Sequence, residues 1–299
     1  MSRIPRQTTA GRVFNDLRNK ARREGRTTEE LLVLYALERW LYRLSLSPHA
    51  DSILLKGGLL LSVLDARRPT RDGDLLLPSM QEEADLLARV SDIASISADD
   101  GIVFDVEQAR STTIREEERY AGLRVVVPAT LASARLKLAL DVNIGDPVTP
   151  GPVRITYPTL LPTANFELLA YPVETVLAEK IVTALSRGEA NTRDRDWADL
   201  WRLTGVHAIS GAVLADALRR TAQYRQVRLQ PLAPRIGALA DLRATPYRRW
   251  RHQQGADGGA YPPEFADVVR QVLSFADPAL DGAVGDLAWD PQRRRWHRT

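Results

Sequence analysis

LLKGGLLLSVLDARRPTRDGDLLLP, residues 54–78, sets two adjacent glycines and a leucine run ahead of Asp72-Gly73-Asp74, and the acidic pair opens a second apolar stretch. The segment reads as a short strand (52–57), a glycine turn, a helix over 59–66, a basic turn around Pro69, and a strand from Asp72. On a strand, alternate side chains share a face, so Asp72 and Asp74 leave one side while Gly73 points to the other. Asp-x-Asp beside glycine is also common in surface turns. At the start of an apolar strand, however, two carboxylates repel unless a cation lies between them. A hard divalent ion such as Mg²⁺ takes oxygen ligands and leaves positions open for phosphate.

Outward from this stretch, the chain alternates helix and strand. Thr27 with Glu30 three residues later forms a capping box, and Leu31, Leu34, Tyr35, Leu37, Leu41 and Leu44 follow a helical period until Pro48. A second amphipathic helix is predicted over 79–95, followed by three extended segments, 101–114, 120–131 and 134–146. In the last of these, Leu136, Leu138, Leu140, Val142 and Ile144 alternate with a polar face that carries Asp141, the third acidic candidate. A proline-rich passage, 145–166, is expected to be a boundary or an edge segment. Beyond it, 172–190, 195–205, 210–225 and 262–277 all show helical spacing. The expectation is an α+β, bilobed protein, with a mixed-sheet domain over 1–160 and a helical domain over 161–299 that completes a nucleotide and substrate cleft.

Composition narrows the chemistry. With 299 residues, 44% of them hydrophobic and 26% charged, the chain can bury a large core. It lacks cysteine, and its four histidines have no ligand spacing, which argues against zinc and against a thiol nucleophile. No apolar run is long enough for a membrane span and the N-terminus has no signal-peptide core, so a cytoplasmic location is expected, with no membrane partner. Positive charge is almost all arginine; lysine occurs only at 20, 56, 137 and 180. In such a background Lys180 stands out, because a compact ammonium on a long stem suits a phosphate. Asp196 and Asp199, three apart on one helix face, could orient it or bind a ribose, while the helix dipole alone would also favour aspartate there. Gly57 and Gly58 open a helix where backbone N–H groups could receive an anion, with Arg67, Arg68 and Thr70 close behind. The segments 218–228, 246–255 and 290–299 interleave arginine with Tyr, Trp and His, a combination suited to unpaired nucleic acid. Trp197, Trp201 and Trp289 read as core.

The ordered set Lys-Gly-Gly, short helix, Arg68-x-Thr70-x-Asp72-x-Asp74, a later strand aspartate, Ala178-Glu179-Lys180 and Arg195-Asp196-x-x-Asp199 resembles the AbiEii nucleotidyltransferase toxins, including the MenT group. These belong to the DNA polymerase β-like nucleotidyltransferase superfamily, and the resemblance covers roughly residues 50–205. It implies that Gly57 and Gly58 form the phosphate-binding turn and that Asp72 and Asp74, with Asp141, hold magnesium. Arg68, Thr70 and Lys180 would contact the nucleotide, and Asp196 or Asp199 would supply the last acidic motif. The implied reaction moves a nucleoside monophosphate from an NTP to RNA, chiefly the 3′ end of tRNA, and so blocks translation. A pyrimidine donor such as CTP follows from the MenT branch and GTP from the AbiEii name. A cognate antitoxin encoded nearby is implied, without a stable complex being required.

One departure is Gly73, where the family has an aliphatic residue; a glycine there leaves a hole in a strand and opens the reading of a silent RNA-binding module. Transfer to a protein or a small molecule is the other alternative. On sequence alone, Lys180→Ala is expected to abolish toxicity and leave the fold intact.

Overall fold

The computed structural model describes residues 7–66, 70–79, 83–114 and 122–298, apart from the side chain of Ala256. It is a mixed α+β structure whose described residues fall into two compact units, which interleave along the chain. The first draws on Met1–Val63, Pro69–Gly145 and Arg154–Ala170, and the second on Leu64–Arg68, Asp146–Val153 and Tyr171–Thr299.

The first unit begins with helices α1 (Thr9–Arg23) and α2 (Thr28–Leu46). Thr27 caps α2 through its hydroxyl, which accepts from the Glu30 N–H at 3.2 Å, one half of the capping box, while the Glu30 carboxylate accepts from Arg26. Strand β1 (Leu54–Lys56), helix α3 (Gly57–Val63) and strand β2 (Gly73–Leu77) follow, then α4 (Glu83–Ala94), β3 (Ile102–Phe104), β4 (Arg110–Ile114), β5 (Gly122–Leu131), β6 (Ala134–Ile144), β7 (Val153–Tyr157) and β8 (Phe166–Ala170). Among the described residues these eight strands make one sheet in the order β3-β5-β6-β2-β1-β8-β7, with β4 also pairing β5. The sheet is mixed: β2 runs parallel to β6 and β1 parallel to β8, while β1–β2 and β5–β6 are antiparallel.

Period-two alternation sends Leu136, Leu138, Leu140 and Val142 of β6 into the core; β6 packs on α2, whose Leu31, Tyr35, Leu37, Leu41 and Leu44 are buried as well. That burial, roughly 1.5–3 kcal/mol per large side chain, fixes the register of β6 and therefore the face on which Asp141 stands. Two ties are polar. The Tyr35 hydroxyl donates to the Asp100 carbonyl at 2.9 Å. Arg43 of α2, fully buried, donates to both Asp100 carboxylate oxygens at 2.5 and 3.2 Å and to the Ile96 carbonyl at 2.8 Å.

The second unit holds α5 (Val173–Arg187), α6 (Asp194–Thr204), β9 (Ile209–Ser210), α7 (Gly211–Tyr224), α8 (Ala233–Ile236), α9 (Leu239–Gln253), α10 (Phe265–Leu280), β10 (Leu287–Asp290) and β11 (Arg295–Arg298). Its helices pack around Trp197, Tyr247, Phe265, Phe275 and Trp289, all buried. Two strand features were not expected from the sequence. β8 pairs with β1 through Leu55 and Ala170, although FELLA carries only a short alternation. The chain end folds as the β10–β11 hairpin, joined to β9 in a three-stranded sheet.

Candidate active site

The acidic residues of the first unit lie across a cross-strand row. β1 and β2 pair with Lys56 opposite Asp74, β2 and β6 with Asp74 opposite Asp141, and β5 and β6 with Arg124 opposite Asp141. Directly paired residues share a sheet face, so Lys56, Asp74, Asp141 and Arg124 line one side in the order plus, minus, minus, plus. Asp72, just before β2, joins them: its Oδ2 lies 3.5 Å from the Arg124 Nη2. Arg124 also grips Asp141 with a two-pronged contact, Nε to Oδ1 and Nη2 to Oδ2, both at 2.6 Å. The structure therefore brings Asp72, Asp74 and Asp141 together, and it adds two residues that the sequence reading did not assign, Lys56 and Arg124.

The glycines have an observable task here. Gly57 takes a left-handed φ of 62°, and a Cβ on it would fall 1.8 Å from the Asp74 Oδ2. A Cβ on Gly58 would fall 2.7 Å from the Thr70 Oγ1. Two side chains of the acidic stretch thus occupy the room that the glycines leave. The Gly58 N–H donates to the Asp74 Oδ2 at 3.1 Å, and the Thr70 hydroxyl donates to the Asp72 Oδ1 at 3.1 Å and to its carbonyl at 3.2 Å. Gly58 and Thr70, expected to face a nucleotide, are in this structure supports of the two aspartates. Arg68 lies outside the described residues, as does Arg67.

Gly73 does not leave the expected hole. A Cβ there would meet the Leu140 Cδ2 at 2.9 Å and the Leu37 Cδ2 at 3.3 Å, so α2 and β6 already fill the space. The argument for a loosened site at Gly73 loses its basis.

Electrostatics follow from the row. Burial raises the Asp74 carboxyl, the Asp72 charge raises it further, and the Gly58 N–H and Lys56 oppose both. Arg124 is held above its ordinary range by its hydrogen bonds to Asp141. For Asp74 the native state binds its proton more tightly than the unfolded chain, so stability falls as pH climbs from about 4, the ordinary carboxylate value, through the raised one. In the metal-free protein Asp74→Asn is accordingly expected to melt higher than wild type at pH 7.5, by roughly 2–4 °C per kcal/mol relieved. Its carbonyl oxygen keeps the bond from Gly58. The gain should vanish in melts below about pH 4, where both forms are neutral; a lower melting temperature at pH 7.5 would count against the repulsion.

In the second unit, Lys180 of α5 reaches α6. Its Nζ lies 2.8 Å from the Asp196 Oδ1 and 2.8 Å from the Asp199 Oδ2. Asp199 is fully buried and Lys180 partly so. Burial pushes the Asp196 carboxyl up, but the Lys180 ammonium, helped by Arg193 and Arg195, outweighs that and leaves it below its ordinary range. Glu179 turns away from Lys180 to Arg225, 3.4 Å distant. The two aspartates thus orient the lysine. Because breaking such a pair strands a buried charge, the expectation of an unperturbed fold for Lys180→Ala no longer holds.

The basic-aromatic segments are less free than their sequence suggests. Tyr247 is buried, and Trp250 packs on Tyr247 and Tyr261 at centroid distances of 5.7 and 5.2 Å. Trp296 stacks on Phe275 at 5.2 Å and donates its indole N–H to the Phe275 carbonyl. Trp250 and Trp296, both half-buried, are thus partly engaged by neighbouring rings. Trp197 and Trp289 are buried as expected, and Trp201 lies under Arg294 at 4.4 Å.

Comparison with known proteins decides the family. The family model of the nucleotidyl transferase AbiEii toxins of type IV toxin–antitoxin systems matches residues 39–277. The chain belongs to this family. Membership implies a cognate antitoxin for this AbiEii-family chain. Two solved Helicobacter pylori chains are also similar to it, JHP933 and one provisionally described as a nucleotidyltransferase. Each is 15% identical over 86% of this chain, covering 94% and 97% of theirs with TM-scores of 0.45 and 0.46. No curated protein matches the chain. Among the described residues no helix is long and apolar enough to cross a membrane.

Magnesium fits the donor chemistry of the row, which offers hard carboxylate oxygens and a raised Asp74 that a cation would relieve. Its geometry is another matter: among the described residues no three His, Cys, Asp or Glu side chains are gathered as a metal cage, and Arg124 stands against Asp141 and Asp72.

Proposed function

We propose that this AbiEii-family protein transfers a nucleoside monophosphate from an NTP to an RNA acceptor, the 3′ end of tRNA in the first instance, and thereby blocks translation. The observation that carries this reading is the in-register pair Asp74–Asp141 with Asp72 beside it, on a sheet face held by the Gly57-Gly58 turn. Magnesium bound at Asp72 and Asp74 would neutralise phosphate charge at the reacting phosphorus. The chain's own residues do the positioning. Gly58 fixes Asp74 and Thr70 fixes Asp72, which holds both carboxylates in one orientation before any ligand arrives. Lys180 keeps the phosphate-neutralising role that the family resemblance implies, and Asp196 and Asp199 keep its ammonium placed within its own unit. A pyrimidine nucleotide is the donor tried first and GTP the second.

The test incubates the protein with each α-³²P-NTP, Mg²⁺ and total RNA. Label should enter RNA in the tRNA size range and fall at least about a hundredfold with Asp72→Ala, since an electrostatic partner of the reacting centre is lost. The Asp72 side chain is 39% exposed, so its removal is expected to cost little folding stability. Label in protein instead of RNA would redirect the acceptor, and no label in any macromolecule would end the enzymatic reading. The packing at Gly73 removes the sequence feature on which the silent RNA-binding reading rested.

A further inference from the structure

Arg124 stands where the acidic row calls for a cation, and this placement has consequences of its own. A two-residue connection, Ala132-Ser133, joins β5 to β6 and sets Leu131 opposite Ala134; counting back along both strands lands Arg124 opposite Asp141. The guanidinium satisfies both Asp141 oxygens at 2.6 Å and reaches the Asp72 Oδ2 at 3.5 Å, so it spans two of the three carboxylates. Its side chain remains 44% exposed, which leaves it room to swing out. Asp74 is held instead by the Gly58 N–H and stands opposite Lys56 across the strands.

We propose that Arg124 is a resident counter-cation: it holds Asp141 closed, balances the row when no divalent ion is bound, and must release its carboxylates as one enters. This rests on the proposed metal-dependent reading of the same site. Physically, a fork of two parallel N–H···O bonds is the strongest arrangement a guanidinium makes with a carboxylate, and a divalent cation needs the same lone pairs. Binding of one cation therefore opposes binding of the other. By linkage, removing Arg124 strengthens the ion's hold on the row. Arg124 acts through Asp141 and Asp72, so it is a positioning residue. The arrangement also gives Asp141 a different part from Asp72 and Asp74: it is a ligand only when Arg124 lets go.

The test is Mn²⁺ binding to the full chain, read as loss of the free-ion signal in electron paramagnetic resonance, for wild type, Arg124→Gln, Asp141→Asn, Arg124→Gln with Asp141→Asn, and Asp74→Asn. Arg124→Gln should bind Mn²⁺ on the order of tenfold more tightly than wild type. The double variant should lose that gain, and Asp74→Asn should lose most binding. Arg124→Lys, which keeps charge but not the fork, should fall between wild type and the Gln variant. A melt in chelator accompanies each sample, and Arg124→Gln should gain more in melting temperature from Mn²⁺ than wild type does. Equal or weaker Mn²⁺ binding by Arg124→Gln, alongside Asp74-dependent binding in wild type, overturns the counter-cation and leaves the metal reading standing. Absence of Asp74-dependent binding in every sample overturns both.

Discussion

Lys180→Ala is expected to lower folding stability by about 3–5 kcal/mol as well as to remove activity, because it leaves Asp199, fully buried, and Asp196 without the ammonium between them. Urea denaturation should show the loss as a lower midpoint at unchanged slope. Its pH dependence is fixed by the sign of the Asp196 shift. A depressed native carboxyl contributes stability above its unfolded value, and the contribution disappears as pH falls through the native one. The gap between wild type and variant should therefore be full at neutral pH and close in acid, below the ordinary carboxylate range near about 4. A partner-matched variant, Lys180→Met with Asp199→Leu, separates the two effects. Replacing a buried ion pair by apolar groups of similar size is often neutral or stabilising, so this protein should recover the part of the midpoint lost with Asp199, while Asp196 keeps Arg193 at 4.0 Å, and it should still fail to transfer label. An unchanged midpoint in Lys180→Ala would mean that the two contacts hold nothing together, and inactivity could then be charged to chemistry alone.

The same pair shows what a sequence can and cannot carry. Helical spacing sets Lys180 on α5 and Asp196 and Asp199 on one face of α6, all local patterns. That they meet depends on the packing of two helices, which local spacing does not specify. The acidic row divides similarly. Asp72 and Asp74 share a face by period two, and the alternation of β6 puts Asp141 on a polar face. Arg124 was missed because its meaning comes only from register, and the run Val125-Val126-Val127 blurs the alternation of its strand. The connection that fixes that register, Ala132-Ser133, lacks the glycine or asparagine by which short hairpins are recognised; Ala132 instead takes a φ of 51°. β8 was missed for a related reason. Five residues that gain their place by parallel pairing with β1 carry no turn signal and little alternation. Gly73 misled in the opposite direction. A missing side chain implies a void only if nothing else fills it, and Leu37 and Leu140 come from elements distant in sequence.

Gly57→Ala should damage the site more than any other substitution of comparable size, and a built-in control shows why. Gly57 has a φ of 62° and Gly25 a φ of 65°, so both pay about 1–2 kcal/mol for a Cβ in the left-handed region. At Gly25 nothing lies within 4 Å of the added carbon, whereas at Gly57 it falls 1.8 Å from the Asp74 Oδ2 and 2.4 Å from the Asp74 Cβ. The second of those atoms is anchored to β2, so rotating the carboxylate does not make room; strand or turn must shift. The shift takes the carboxylate from the Gly58 N–H, at a further cost of about 1–3 kcal/mol for a buried group left unmatched. Gly25→Ala is therefore expected to lose about 1–2 kcal/mol with normal transfer activity, and Gly57→Ala roughly 2–5 kcal/mol with activity down at least about a hundredfold. Gly73→Ala falls between, because its clash at 2.9 Å is with the mobile end of Leu140, which can yield. Chemical denaturation and label transfer on the three variants decide the matter. If Gly57→Ala matched Gly25→Ala in both, the close seat of Asp74 on the glycine turn would not be what positions the acidic pair.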